Sequence, residues 1–254
     1  VIRNYLPSLT DSELLVVMVS GMGTISGPIL AVYASMGVPV EHLLGSCVIA
    51  IPATILIAKI LLPETEKNVV DRAIVSVEEK RGNVFEAVSI GTSESLNVTL
   101  QVGAMLIAFI ALIALINGVL EGTCGQLNTW LGWSLPIINL DYIFSILFYP
   151  FSLLLGFTGQ QASQVAQLLG TKVAVNEFFA YYKMVGMQLP ERAQILTTYA
   201  LCGFSNFSSI GIQVGAIGAL VPQKRHSLTQ LGLTAVLGGA LSNLLTALIV
   251  GLCI

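Results

Sequence analysis

Few residues of this chain carry charge. Eleven Lys/Arg and fourteen Asp/Glu stand among 254 residues, a share of 10%, against about 25% in ordinary soluble domains. The deficit excludes water as the main solvent. With a net charge of −3 and no basic stripe, nucleic acid is excluded as a partner. Cysteine is equally thin. Cys47, Cys124, Cys202 and Cys253 follow no metal or redox spacing, and Cys47, Cys202 and Cys253 lie in apolar surroundings, as small packing residues do. His42 and His226 stand far apart near segment ends, which suits loops better than ligation. No Gly-x-Ser-x-Gly, His-Glu-x-x-His or Gly-x-x-x-x-Gly-Lys pattern occurs, and no nucleophile stands beside a base, so an enzyme is not expected. The chain opens on Val1-Ile2-Arg3 with neither Met nor a signal peptide, and is expected to be a piece of a longer protein.

What fills the chain is apolar. Hydrophobic residues make up 55% and the mean hydropathy is +0.85. Several runs approach or exceed the roughly 18–20 residues that span a bilayer, so a multi-pass membrane protein is expected. Asp11-Ser12-Glu13 opens an apolar stretch to Tyr33 that "SGMGTISGP" (20–28) interrupts. Val40–Leu62 is a second run, stopping at Pro63. The charged stretch 64–88, with Val, Ile and Phe at helical spacing, reads as an amphipathic helix at the interface. The stretch 96–120 is a strong span, and a Gly/Asn/Trp connection follows whose Trp130 and Trp133 suit a membrane–water boundary. The stretch 159–186 is too polar for a lipid-facing span and fits a re-entrant hairpin shielded by protein. Ser227–Ile254 is rich in Gly and Ala, as close helix packing prefers. The basic loop "QKRH" (223–226) is expected in the cytoplasm, with 64–88 on the same side and the Trp-bearing connection outside.

Two segments lie on each other at a constant offset of 183: "LPSLTDSELLVVMVSGMGTISGPILAVYASMGVP" (6–39) and "LPERAQILTTYALCGFSNFSSIGIQVGAIGALVP" (189–222). Each opens on a Pro and closes on Val-Pro. Each carries a polar break mid-segment, and Gly23-Thr24-Ile25-Ser26 falls on Asn206-Phe207-Ser208-Ser209. A broken membrane helix frees backbone groups that cost several kcal/mol apiece in lipid. Two equally placed breaks in two halves therefore point to a transporter site.

Glu177, in "VAVNEFFAYY", is an intramembrane carboxylate and so a functional candidate. Its structural alternative is an ion pair with Lys172 or Lys183. A carboxylate can accept from two vicinal hydroxyls, which suits a sugar diol. Asn206 offers an amide, Ser209 a hydroxyl and Phe204 a flat face. Together they suit a neutral polar ligand with a ring. Ser205 and Ser208 read as satisfying the broken backbone or neighbouring helices. The sequons at Asn97 and Asn206 lie inside spans and read as coincidence.

The stretches "NEFFAYY" (176–182), "RAQILTTYALCGFSNFSSIGI" (192–212), "VPQKR" (221–225) and "ELLVVMVSGMGTISGPILAVYASMGVP" (13–39) closely resemble the signature stretches of the concentrative nucleoside transporter family. The resemblance implies an all-α membrane protein: a helical bundle with a re-entrant hairpin and two broken transmembrane helices related by an inverted repeat. It implies import of nucleosides by sodium symport, with protons as the alternative ion. It also implies an elevator-type movement of a transport domain, a homotrimer, and a place in the plasma or bacterial inner membrane. By position, Glu177, Asn206 and Ser209 match the ribose-binding residues. Phe204 and Ile29 match residues lining the base. Thr24 and Ile25 match the sodium site, through a hydroxyl and backbone carbonyl. On this reading residues 1–62 form the first repeat part, 63–92 a cytoplasmic interfacial helix, 93–139 a scaffold span with its external connection, and 140–254 the second repeat. The family's first-hairpin tip, of Gly-Gln-x-Glu type, is expected ahead of Val1, so this polypeptide alone is not expected to transport. A membrane-embedded enzyme and a non-transporting nucleoside receptor are the remote alternatives.

Overall fold

The computed structural model describes residues 5–65, 83–132, 136 and 138–254, and all regular structure among them is helical. Residues 66–82, the bulk of the expected interfacial helix, and Trp133 lie outside the described residues. The helices in chain order are α1 (Asp11–Gly23), α2 (Gly27–Ser35), α3 (Val40–Leu61), α4 (Val84–Leu131), α5 (Leu140–Leu154), α6 (Gly159–Ala174), α7 (Glu177–Gly186), α8 (Glu191–Leu201), α9 (Phe207–Leu220) and α10 (Arg225–Gly251).

Local chemistry sets these boundaries. A capping box starts α1: the Glu13 N–H donates to Thr10 Oγ1 at 3.2 Å, and the Thr10 N–H donates to Glu13 Oε2 at 3.1 Å. The chain then leaves the helix through Thr24–Ser26, with Thr24 extended at φ −124°, ψ 168°. Gly27 and Pro28 restart it as α2, because a first-turn Pro has its φ already set for helix and lacks an N–H that would have no partner there. The second half repeats the design with different residues. Pro190 precedes α8, the break covers Cys202–Ser205, and Asn206 opens the next segment as the cap of α9, accepting the Ser209 N–H at 3.0 Å. The breaks are thus not in the register of the sequence repeat. At the offset of 183 the first break falls on 207–209, already the first turn of α9. An Asn cap restarts the second helix earlier than a Gly-Pro pair restarts the first.

The boundary expected at 92/93 lies inside one continuous helix. At 1.5 Å per residue the 48 residues of α4 run about 72 Å. It starts at an Asn83 cap and ends at Gly132, whose φ of +64° suits a left-handed cap. No Pro interrupts it, and Gly122 and Gly125, in the stretch after residue 120 that reads as a connection, each cost only about 1 kcal/mol in a helix. Trp130, near its end, is almost fully exposed.

α1 packs on α3, α8 packs on α10, and α3, α1 and α10 pack on one another. Lipid tails are as apolar as leucine, so close contact rather than transfer from water holds such helices together. A methyl at Gly238 would stand 2.7 Å from Val19 Cγ2, and one at Gly239 would stand 2.9 Å from Met22 Cβ, so the α1–α10 approach depends on both. α5 and α6 pack along each other, and two residues, Val175 and Asn176, turn α6 into α7. Those two helices measure about 24 and 15 Å, each shorter than the roughly 30 Å hydrocarbon core. Among the described residues, Val40–Leu61 and Pro222–Gly251 are long and apolar enough to cross a membrane.

Candidate functional site

Glu177 opens α7. Asn176 caps the helix by accepting the Phe179 N–H at 2.9 Å, so the carboxylate sits at the positive end of a helix dipole. Its side chain is buried, at 5% exposure, and a buried carboxylate needs donors. Two reach it from remote segments. The Tyr33 hydroxyl on α2 donates to Oε1 at 3.1 Å, and Asn206 Nδ2 donates to Oε2 at 2.9 Å. The segment following each break therefore delivers one donor to the same acid. An ionised carboxylate has about four acceptor sites, of which these donors use one on each oxygen.

Asn206 is itself held in place. Its Oδ1 accepts from the Ser209 N–H and the Ser209 hydroxyl, each at 3.0 Å, and from the Ser208 hydroxyl at 2.6 Å. Three donors exceed the two lone pairs of one carbonyl oxygen, so a serine hydroxyl can turn to another acceptor without stranding the amide. Tyr33 is buried and stacks on Tyr181, ring centroids 4.4 Å apart. The Tyr181 hydroxyl in turn donates to Thr198 O on α8 at 2.8 Å.

Glu177, Asn206 and Ser209 are thus brought together. Ile29 is half-buried one turn before Tyr33 on the same face of α2. Phe204 is half-buried within the second break, its carbonyl accepting the Asn206 N–H at 2.9 Å. Thr24 and Ile25 lie half-buried in the first break. Thr24 Oγ1 donates to Ser20 O at 2.8 Å, and Ser20 Oγ stands 3.2 Å from Thr54 Oγ1 on α3. These are neutral, hard oxygens, the donor type an alkali cation takes. A cleft of about 530 Å³ lies beside α7 and the end of α2, lined by Met36, Tyr182, Lys183, Val185, Gly186 and Met187, and does not open onto Glu177.

Lys172 does not pair with the acid. It donates to Ala200 O at 2.9 Å and to Asn243 Oδ1 at 2.6 Å, while Lys183 donates to Thr171 Oγ1 at 3.0 Å. Asn243, on α10 and fully buried, ties the breaks together: its Nδ2 donates to Gly23 O and to Cys202 O, both at 2.8 Å. Ser205 Oγ joins at its Oδ1 at 3.3 Å.

The model of the Na+ dependent nucleoside transporter C-terminus matches residues 42–251. The chain belongs to the concentrative nucleoside transporter family. The nucleoside permease NupC of Helicobacter pylori is 40% identical over all of this chain and 60% of its own length. A CNTnw variant in an outward-facing state superposes with a TM-score of 0.86 at 36% identity, over 99% of this chain and 60% of that one. CNTnw in an inward-facing substrate-bound state gives 0.77 at 36% identity, over 99% of this chain and 59% of that one. The chain spans about three fifths of the length of these relatives. Membership of this transporter family implies a membrane setting.

Three members of the buried polar network around the breaks were not read from sequence as site residues: Tyr33, Asn243 and Thr54. Tyr33 had a signal, its four-residue spacing from Ile29. Asn243 had one too, as a lone amide in a Gly- and Ala-rich span. Lys172 was weighed only as a partner for Glu177.

Proposed function

We propose that this chain carries the ribose and coupling-ion sites of a sodium-coupled nucleoside importer. One observation carries the reading: a buried carboxylate whose two donors come from the segments after two separate helix breaks. Ribose presents vicinal hydroxyls, and Glu177, Asn206 and Ser209 offer the acceptors and donors to hold them, with Phe204 and Ile29 against the base. Sodium takes the first break, through the Thr24 hydroxyl and the Ile25 carbonyl. Thr54, whose hydroxyl meets Ser20 beside that break, is a further candidate ligand.

The architecture follows the same reading. α6 and α7, both too short to cross and joined by two residues, form a re-entrant hairpin. α1–α2 and α8–α9 are the broken helices of an inverted repeat, supported by the matched packing of α1 on α3 and α8 on α10. Residues 1–62 and 140–254 hold the two repeat parts, and α4 (Val84–Leu131) lies between them as scaffold. The loaded transport domain moves as an elevator within a homotrimer of the plasma or bacterial inner membrane.

In the full-length protein, Glu177→Gln should weaken uridine uptake at low substrate by roughly 10- to 100-fold, since bonds to a charged group contribute about 1.5–3 kcal/mol. Near-normal uptake would overturn the assignment. Replacing sodium by choline at fixed pH should abolish uptake. Uptake that persists makes protons the coupling ion, and nucleoside binding without uptake in proteoliposomes makes the protein a receptor.

A further inference from the structure

Lys172 is a buried ammonium whose hydrogen-bond partners are neutral, and the Glu177 carboxylate acts on it only through space. Its side chain is 2% exposed. No carboxylate among the described residues forms an ion pair with it. Burying an ammonium costs several kcal/mol unless its N–H groups are satisfied. Here two of the three are met, by a carbonyl and an amide oxygen, Ala200 O and Asn243 Oδ1. Ala200 is in the last turn of α8, where helix carbonyls have no partner in their own helix and the dipole is negative. A cation held by neutral hard oxygens at the C-terminal end of a half-helix is the arrangement an alkali ion adopts at a helix break.

The end of α1 is the counterpart of this place. There Ser20 O and Gly23 O accept only from neutral groups, the Thr24 hydroxyl and the Asn243 amide. Among the described residues, Lys172 is the only buried side chain with positive charge. The two half-helix ends thus share one amide, Asn243, yet differ in one respect. The second meets an ammonium of the chain itself, and the first meets none.

We propose that Lys172 is a resident cation: its ammonium fills, at the break after α8, the kind of site that a free ion fills at the break after α1. The inference rests on the reading of the first break as the ion site. A resident charge makes the second break permanently loaded, leaving one break for an exchangeable ion. It also gives Asn243 a role, since the amide that ligates the ammonium holds the carbonyl of Gly23.

The test uses the full-length protein and two variants. Lys172→Ala removes the charge and opens space for a small cation with water. Lys172→Met removes the charge but keeps the space filled. Lys172→Ala should gain a second cation requirement: its sodium-activation curve steepens, the Hill coefficient rising from about 1 toward 2, and the charge moved per uridine doubles. Its melting temperature in detergent should climb with sodium beyond the wild-type response, while that of Lys172→Met should not. Equal behaviour of the two variants, with sodium curves of wild-type shape, reduces Lys172 to a packing residue and overturns the proposal. If Lys172→Ala fails to accumulate, extraction in sodium should recover it and extraction in N-methylglucamine should not; equal loss in both also overturns it. The melting measurement needs no transport. A wild-type protein that neither transports nucleoside nor responds to sodium would defeat the functional reading while leaving the cation response of Lys172→Ala to decide this one.

Discussion

At the scale of single residues, the site depends on side chains that each serve two partners. Asn206 gives its Nδ2 to Glu177 and takes three donors on Oδ1. Ser209 contributes both its backbone N–H and its hydroxyl to that amide. If Asn206 and Ser209 hold ribose hydroxyls, truncating either should cost most for ligands that carry the hydroxyl concerned. Asn206→Ala and Ser209→Ala should each weaken uridine by about 5- to 15-fold, the scale of one net hydrogen bond of about 1–1.5 kcal/mol. For the 2′- or 3′-deoxynucleoside that lacks the matching hydroxyl, the variant and wild type should differ little. Competition of labelled uridine by the deoxy series measures this, and a uniform loss across the series would mark the two residues as caps alone. The acid, the amide and the serines were legible in the sequence because a polar side chain in an apolar run stands out. Tyr33 carried only its spacing from Ile29, and a tyrosine among Ile, Leu, Ala and Val reads equally well as packing. Only the fold brings residue 33 to residue 177.

At the scale of elements, the breaks were legible through Gly, Pro and Asn, but their register was not. Sequence similarity aligned the residues of the two halves, whereas a helix restarts wherever a capping group first allows it. In one copy that is Gly27-Pro28 and in the other Asn206. The length of α4 was illegible for a related reason. Scattered glycines resemble a connection, yet without Pro or a capping residue nothing stops the helix before Gly132. Gly203, in the second break, lies against α10 and the end of α1, where a methyl would stand 2.5 Å from Asn243 Oδ1 and 2.8 Å from Met22 O. Backbone at Met22 cannot step aside as a side-chain tip can. Gly203→Ala should therefore destabilise the protein by about 1–3 kcal/mol, as overpacking does, and lower uptake. Thermal unfolding in detergent and uridine uptake check it together, and wild-type values in both would show that the breaks have room to separate.

At the scale of the whole molecule, Asn243 and Glu177 make the two halves one unit. The acid takes a donor from the segment after each break, and the amide donates to a carbonyl at the end of each preceding helix. An ion ordering the first break and a nucleoside gathering Glu177 and Asn206 would then favour the same arrangement. Coupling of this kind is reciprocal. Saturating sodium should tighten uridine binding by some factor, about 5- to 150-fold for typical couplings, and saturating uridine should tighten sodium by the same factor. Calorimetric titration of each in the presence of the other measures that factor, and a factor of 1 or below would place the two ligands on different states.

The bond from Asn243 to Gly23 also has a consequence in time. It joins residues 220 positions apart, and ribosomes add about 5–20 residues per second, so the first break waits roughly ten to forty seconds for its partner. Until α10 is made, the carbonyl of Gly23 lacks this donor, and the second break is in the same position at Cys202. The same amide donates at both breaks, so these two bonds close in a single late event of biosynthesis rather than half by half.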